Sequence, residues 1–197
     1  MISMINKEDK AMADKKYTAK IKKDGSVITG LVRLSYPHLF EKDEASDKYS
    51  ASLIIPGDDK ESLKVLEAAV ELAKEDGKSK KWGGKIPGKL TEPIHDGSES
   101  SDSSGAYDGN YYFSVRSSSR PKLFDEDGAE VIDPEELYPG CYVRAIVAFY
   151  PYNTSQNGIG AILKGIKKVK DGDPLGGGNN VTADDFEEDD DADDDLD

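Results

Sequence analysis

The chain has 197 residues, of which 36% are hydrophobic and 34% charged, enough for one medium domain with polar appendages, since single domains run to roughly 100–150 residues. Its formal net charge of −14 is unevenly spread: thirteen acidic residues and no Lys or Arg lie between Asp171 and Asp197, which leaves −1 for residues 1–170. A phosphate-bearing partner is therefore not excluded for the body of the chain, because charge acts per segment. The start lacks the apolar stretch of about 7–15 residues of a secretory signal, and no run approaches the roughly 18–20 apolar residues that span a bilayer. With Cys141 as the single cysteine, no internal disulfide can form, and a reducing cytoplasmic setting is expected.

Residues 1–25 are predicted to be a flexible N-terminal arm. Val27–Tyr36 is β-branched and apolar with an internal glycine, Gly30, and reads as a strand with a bulge or bend, ended by Pro37. Lys48–Ile55 alternates as a second strand with Tyr49, Ala51, Leu53 and Ile55 on one face, and Pro56-Gly57 terminates it. Asp58 then stands as N-cap with Glu61 three residues on. Leu63, Leu66, Ala69, Val70 and Ala73 recur at helical spacing, which predicts one helix with a stop at Gly77.

Residues 78–110, rich in Lys, Gly, Pro and Ser, read as a long irregular connection of the kind that carries function or mobility. Tyr111–Arg116 is a third strand, and Val131-Ile132 adds a short piece. Cys141–Tyr150 and Ile159–Val169 are the closing strands, joined by the turn-rich Asn153–Gly158. About five principal strands and one inserted helix predict a mainly β chain whose residues 26–175 form a small Greek-key barrel of the oligonucleotide-binding (OB) fold. Residues 176–197 open on glycines and continue into an acidic run too charged and too poor in apolar residues to pack, so a disordered acidic tail is predicted.

Aromatic and basic residues interleave on the predicted strands. Tyr142, Arg144, Tyr150 and Tyr152 are all even-numbered and share a face of an unbroken strand; Tyr112 and Arg116 pair likewise. Single-stranded nucleic acid needs aromatic faces for its bases, each stack worth about 1–3 kcal/mol, and cations along its phosphates. The alternative is that these tyrosines merely pack a barrel, as aromatics in strands often do. Lys78, Lys80, Lys81, Lys85 and Lys89 surround Trp82, either as a loop that closes over a strand or as a solvated loop with Trp82 tucked against the barrel.

Gly83–Lys89 mimics the spacing of a phosphate-binding P-loop but lacks the following Ser/Thr, replaced by Leu90, and the flanking strand and helix. With His38 and His95 the only histidines and one cysteine, a Cys/His zinc site is excluded. Asp96, Asp102 and Asp108 sit in a Gly/Ser-rich loop that mounts a two-metal site poorly. No metal, no cofactor and no catalysis are expected. In the tail, Phe186 and Leu196 give the acidic run of Asp184, Asp185, Glu187 and Glu188 two apolar handles, which suits docking into a basic, partly apolar groove.

The run Val32-Arg33-Leu34-Ser35-Tyr36-Pro37-His38-Leu39-Phe40-Glu41, followed by Tyr49–Pro56, resembles a family of phage single-stranded DNA-binding proteins. Asp96-Gly97, Arg120-Pro121, Leu137–Arg144, Gly158–Leu163 and Val169–Gly172 follow in that family's order, so the resemblance covers roughly residues 26–175. It implies an OB fold that coats single-stranded DNA with little sequence preference during phage replication, recombination or repair, in the cytoplasm of the infected bacterial host. The tail is similar to those that recruit replication or recombination proteins, except that it ends Leu196-Asp197 where such tails commonly end in Phe.

The expected stacking set is drawn from Tyr36, Phe40, Trp82, Tyr112, Tyr142, Phe149, Tyr150 and Tyr152, with Arg33, Arg116, Arg120, Lys122, Arg144, Lys164 and Lys167 along the backbone path. Strand parity allows only one of Phe149 and Tyr150 to face the groove unless a bulge intervenes. The expected partners are single-stranded DNA and tail-bound proteins, with no membrane; homo-oligomerisation stays open. Two rival readings are an acidic protein–protein adaptor that does not bind DNA and a metal-dependent nuclease.

Overall fold

A computed structural model of the chain describes residues 17–176; the tail residues Asp184–Glu188 and Leu196, expected to bind partners, lie outside the described residues. The strands are β1 (Lys20–Ile21), β2 (Val27–Ile28), β3 (Val32–Asp43), β4 (Lys48–Ile55), β5 (Ile94–Asp96), β6 (Tyr111–Ser117), β7 (Lys122–Phe124), β8 (Tyr142–Asn153) and β9 (Asn157–Lys170). One α-helix, α1 (Lys60–Lys80), lies between β4 and β6. No helix among the described residues is long and apolar enough to cross a membrane.

Five of the strands close on themselves in the order β8-β3-β4-β6-β9 and back to β8. All these pairings are antiparallel except β6–β9, which is parallel. This is the closed five-stranded OB barrel that the sequence predicts, and closure leaves no free edge around its wall. Inward positions alternate: Ala51, Leu53 and Ile55 from β4, Phe113 and Val115 from β6, Val143, Ala145 and Val147 from β8, and Ala161 and Leu163 from β9 fill one core. Helix α1 adds Leu63, Leu66 and Ala69 to that core, while Val70 and Ala73 pack with Ile159 in a neighbouring cluster. Cys141 is buried in the main core, and burial pushes its thiol up to about 11.

Several boundaries differ from expectation for identifiable reasons. The first strand does not run unbroken from Val27 nor stop at Pro37. β2 and β3 pair in turn with β8, and the chain bends between them at Gly30, where a Cβ would collide with the Ser62 hydroxyl. β3 then passes through Pro37 because the proline falls in a bulge, between the pairs Ser35–Ser52 and His38–Ser50, where no ladder N–H is required.

The helix is capped by Asp59, not Asp58: its carboxylate accepts from the Ser62 amide at 3.0 Å. Nor does the helix end at Gly77. That glycine lies inside it because a Cβ would reach 2.6 Å from both Trp82 and Pro151. Residues 17–25, assigned to the arm, contribute β1 and the buried Ala19, whose amide donates to Ser62 Oγ at 2.9 Å. The predicted irregular stretch 78–110 contains β5, and β7 has no counterpart in the predicted elements. Val131-Ile132 is not a strand; the Val131 amide donates to the Leu123 carbonyl at 3.0 Å instead.

Candidate nucleic-acid interface

Alternation that points odd-numbered residues of β8 into the core turns Tyr142, Arg144, Ile146, Tyr150 and Tyr152 outward. The parity question is thereby decided: Phe149 faces inward, 5.8 Å from Phe113 between ring centroids, while Tyr150 is 40% exposed. Across the strand pair, Tyr150 stands opposite Gly160 and Tyr152 opposite Gly158. A Cβ at Gly160 would lie 2.6 Å from the Tyr150 ring, so the glycine is what lets that ring lie across β9. The two tyrosine rings are 6.3 Å apart.

The ladders extend this surface. Arg116 stands opposite Ile162 on one side and Ser50 on the other, and Ser50 opposite His38, so His38, Ser50, Arg116 and Ile162 form an outward row over four strands. Ile162 is 40% exposed, and Arg116 forms no ion pair with any described residue. Ser114 and Gly160 come next along β6 and β9. Small side chains thus make a low floor beside the Tyr150 ring, with a cation and an apolar surface at hand.

Tyr36 bounds the other side. It is 60% exposed, and its backbone sits at φ 45° within the bulge of β3, a conformation that costs a bulky residue free energy. Its hydroxyl donates to the Asp102 carboxylate, which raises the phenol's pKa above its ordinary value. The loop carrying Asp102 also brings Tyr107 onto the face: its hydroxyl donates to Ser52 Oγ at 3.2 Å, and its ring meets Tyr112 edge-on at 5.0 Å. Tyr112 is therefore packed beneath this loop, with His95 5.4 Å away. Phe40 is partly buried beneath the Arg120 guanidinium, 5.4 Å from its ring centre.

The other expected residues are placed differently. Trp82 packs against Val70, Ala73 and Ile159 and donates Nε1–H to the Tyr152 carbonyl at 3.3 Å. Arg33 donates to the carbonyls of Gly140 at 3.1 Å and Asp173 at 2.5 Å and covers one part of the Tyr142 ring, with Lys170 4.9 Å from its centre. Arg144 is half-buried and donates to the Thr29 carbonyl at 2.9 Å and the Thr18 carbonyl at 3.3 Å, which ties the β1–β2 segment to the barrel. Lys122, Lys164 and Lys167 line a groove between β2 and β7 on the outside of β8 and β9.

Sequence reasoning missed Phe124 and Ile162 on this outer surface. The Phe124 signal was a lone aromatic after Lys122 in a stretch too short to read as a strand. Two of the carboxylates weighed for a metal organise their own loop instead: Asp96 accepts from the Ser98 amide at 2.9 Å, and Asp102 from the Ser104 amide as well as from the Tyr36 hydroxyl. No group of three or more His, Cys, Asp or Glu among the described residues is arranged to hold a metal ion.

The family model described as the single-stranded DNA-binding protein of Enterobacter phage Enc34 matches residues 25–196. A protein of Acyrthosiphon pisum secondary endosymbiont phage 1, termed putative protein p50, is 31% identical over 170 residues, which are 79% of this chain and 89% of that protein. Among solved structures, the single-stranded DNA-binding protein from bacteriophage Enc34 in complex with single-stranded DNA superposes with a TM-score of 0.69 at 28% identity, over 82% of this chain and 99% of that one. The single-stranded DNA-binding protein gp2.5 of bacteriophage T7 shares the fold, with a TM-score of 0.54 at 16% identity over 83% of this chain and 99% of that one. By the extent of the family match and the identity to the phage relative, the chain belongs to the Enc34 family of phage single-stranded DNA-binding proteins.

Proposed function

We propose that this protein binds and coats single-stranded DNA with little sequence preference during phage DNA replication, recombination or repair, as a non-catalytic protein in the cytoplasm of the infected host. The observation that carries this reading is the exposed Tyr150 ring on Gly160 of β9, beside Ile162 and Arg116, the latter without an ion pair among the described residues. Stacking on an aromatic is tolerant of base identity because every base has a π-face, and a guanidinium nearby serves the phosphates. Tyr36, Tyr150 and Tyr152 are the proposed stacking residues, with Arg116 and Arg120 along the backbone. Arg33, Arg144, Trp82 and Phe149 act through the fold.

The acidic tail is proposed to recruit replication or recombination proteins and to compete with DNA for the cationic surface. Support comes from the charge split, since the tail holds nearly all of the net −14, and a tethered polyanion competes at high effective concentration. The test is a fluorescence titration with single-stranded and duplex oligonucleotides at several salt concentrations, on the full chain and on a chain truncated after Gly178. Preference for the single strand and tighter binding on truncation at low salt are expected. Equal affinity for duplex, or no binding, overturns the DNA-coating role, and unchanged affinity on truncation removes the competitor role.

A further inference from the structure

Beside the proposed stacking face lies a groove of about 600 Å³ floored by β8 and β9, with β2 as one wall and β7 as the other. That size is within the roughly 300–1,000 Å³ of pockets that enclose small ligands. Its lining is apolar at Ile28, Ile146 and Phe124, the last 37% exposed. Around these stand Lys22, Lys122, Arg144, Lys164, Lys167 and Lys168, against Asp24 and Glu126 as the acids among the described residues. Lys122 and Lys167 have no ion pair among the described residues, whereas Lys164 reaches Asp24 at 3.5 Å and Lys168 reaches Asp171 at 2.8 Å.

The groove joins the stacking face through a register defect. Val147 stands opposite Leu163 and Ile146 opposite Gly165, so Lys164 is the extra residue of a β-bulge. Bulges re-aim a side chain and bend the strand that carries them. This one falls where β9 changes neighbours, from β6 at Ile162 to β7 at Gly165. Gly165 permits the close approach of β7, since a Cβ there would lie 3.0 Å from the Lys122 carbonyl. Along β9 the outward path therefore runs from Gly160 and Ile162, past Lys164, into the groove.

We infer that this groove is a second contact segment for single-stranded nucleic acid, into which a strand leaving the Tyr150 and Arg116 face turns at Lys164 and where Phe124 stacks a base between lysines of β7 and β9. The inference rests on the DNA-coating role proposed above. An aromatic open to solvent and flanked by Lys122 on β7 and Lys167 on β9, neither ion-paired among the described residues, fits a base with its neighbouring phosphates, and the continuity with the stacking face fits one strand crossing both. An acidic peptide, the chain's own tail included, would use the charge but has no need of that continuity.

Two variants of the full chain, Lys122→Gln with Lys167→Gln and separately Phe124→Ala, are titrated with oligothymidylates of about six and about thirty nucleotides over a range of salt. The short strand is expected to bind both variants as it binds wild type, since the stacking face is untouched. The long strand is expected to lose about ten-fold with Phe124→Ala. With the lysine pair, the slope of log K against log salt for the long strand should fall by about 1.4.

Loss of affinity for neither length, or equal loss for both, overturns the inference, as does tighter binding of either variant, which would assign the groove to the acidic tail. Wild-type protein that binds neither length overturns the DNA-coating role itself. Wild-type binding with unchanged variants overturns the groove alone.

Discussion

At the scale of single residues, Tyr36 carries a conformational cost that the fold does not need for packing, since its ring is 60% exposed and its φ is 45°. Left-handed backbone costs a non-glycine residue roughly 1–2 kcal/mol, and such strain concentrates at functional positions. Tyr36→Gly is accordingly expected to leave stability unchanged or raise it by about 1 kcal/mol while lowering affinity for single-stranded DNA by on the order of ten-fold. A denaturant midpoint and a DNA titration on the same protein check both halves. Arg144 is the converse. Its guanidinium serves the Thr29 and Thr18 carbonyls, so Arg144→Ala should lower the unfolding free energy by about 1–3 kcal/mol.

At the scale of elements, alternation made the inner and outer faces of β4 and β8 readable, because burial on one side imposes a period of two. Ala51, Leu53 and Ile55 fall in the core and Tyr150 and Tyr152 outside it, as the parity argument requires. Position-specific backbone roles were not readable. Gly77 looks like a helix stop and is instead the seat of Trp82, Pro37 looks like a strand end and is instead accommodated by a bulge, and three-residue β7 finds its partner β9 some forty positions away. Each depends on a neighbour distant in sequence, and no local propensity encodes it.

The glycines of β9 illustrate the same point and can be tested. Gly160→Ala places a methyl at the Tyr150 ring, so the tyrosine tip must move while the ladder remains. The expected outcome is a several-fold loss of DNA affinity with less than about 1 kcal/mol change in stability. Retained affinity would detach the ring's position from binding.

At the scale of the whole molecule, acid stability follows from carboxylates that organise turns. Bonds from the Ser26 hydroxyl and amide hold Asp24 down to about 2. Ser46, Ser98 and Ser104 bonds hold Asp43, Asp96 and Asp102 below the usual carboxylate range, and Lys168 does so for Asp171. A carboxylate whose pKa is lowered by folding stabilises the fold fully above its unfolded value of about 3.9 and loses that contribution as pH falls through the folded value. Melting temperature should therefore stay level from neutrality to about pH 5 and fall between about pH 4 and 2; a flat profile to pH 2 would contradict this assignment.

The charge division between a nearly neutral body and an acidic end was legible from counting alone, and so was the barrel. The bulge at Lys164 and the hand-over from β6 to β7, on which the proposed path of a bound strand rests, were not. The outer face of β6, β8 and β9 is proposed to receive the bases. Its most direct test is the affinity of Tyr150→Ala for a single-stranded oligonucleotide, beside a stability measurement. A loss of about 1–3 kcal/mol in binding with the fold retained is expected, and unchanged affinity in a folded Tyr150→Ala protein would contradict that role of the face.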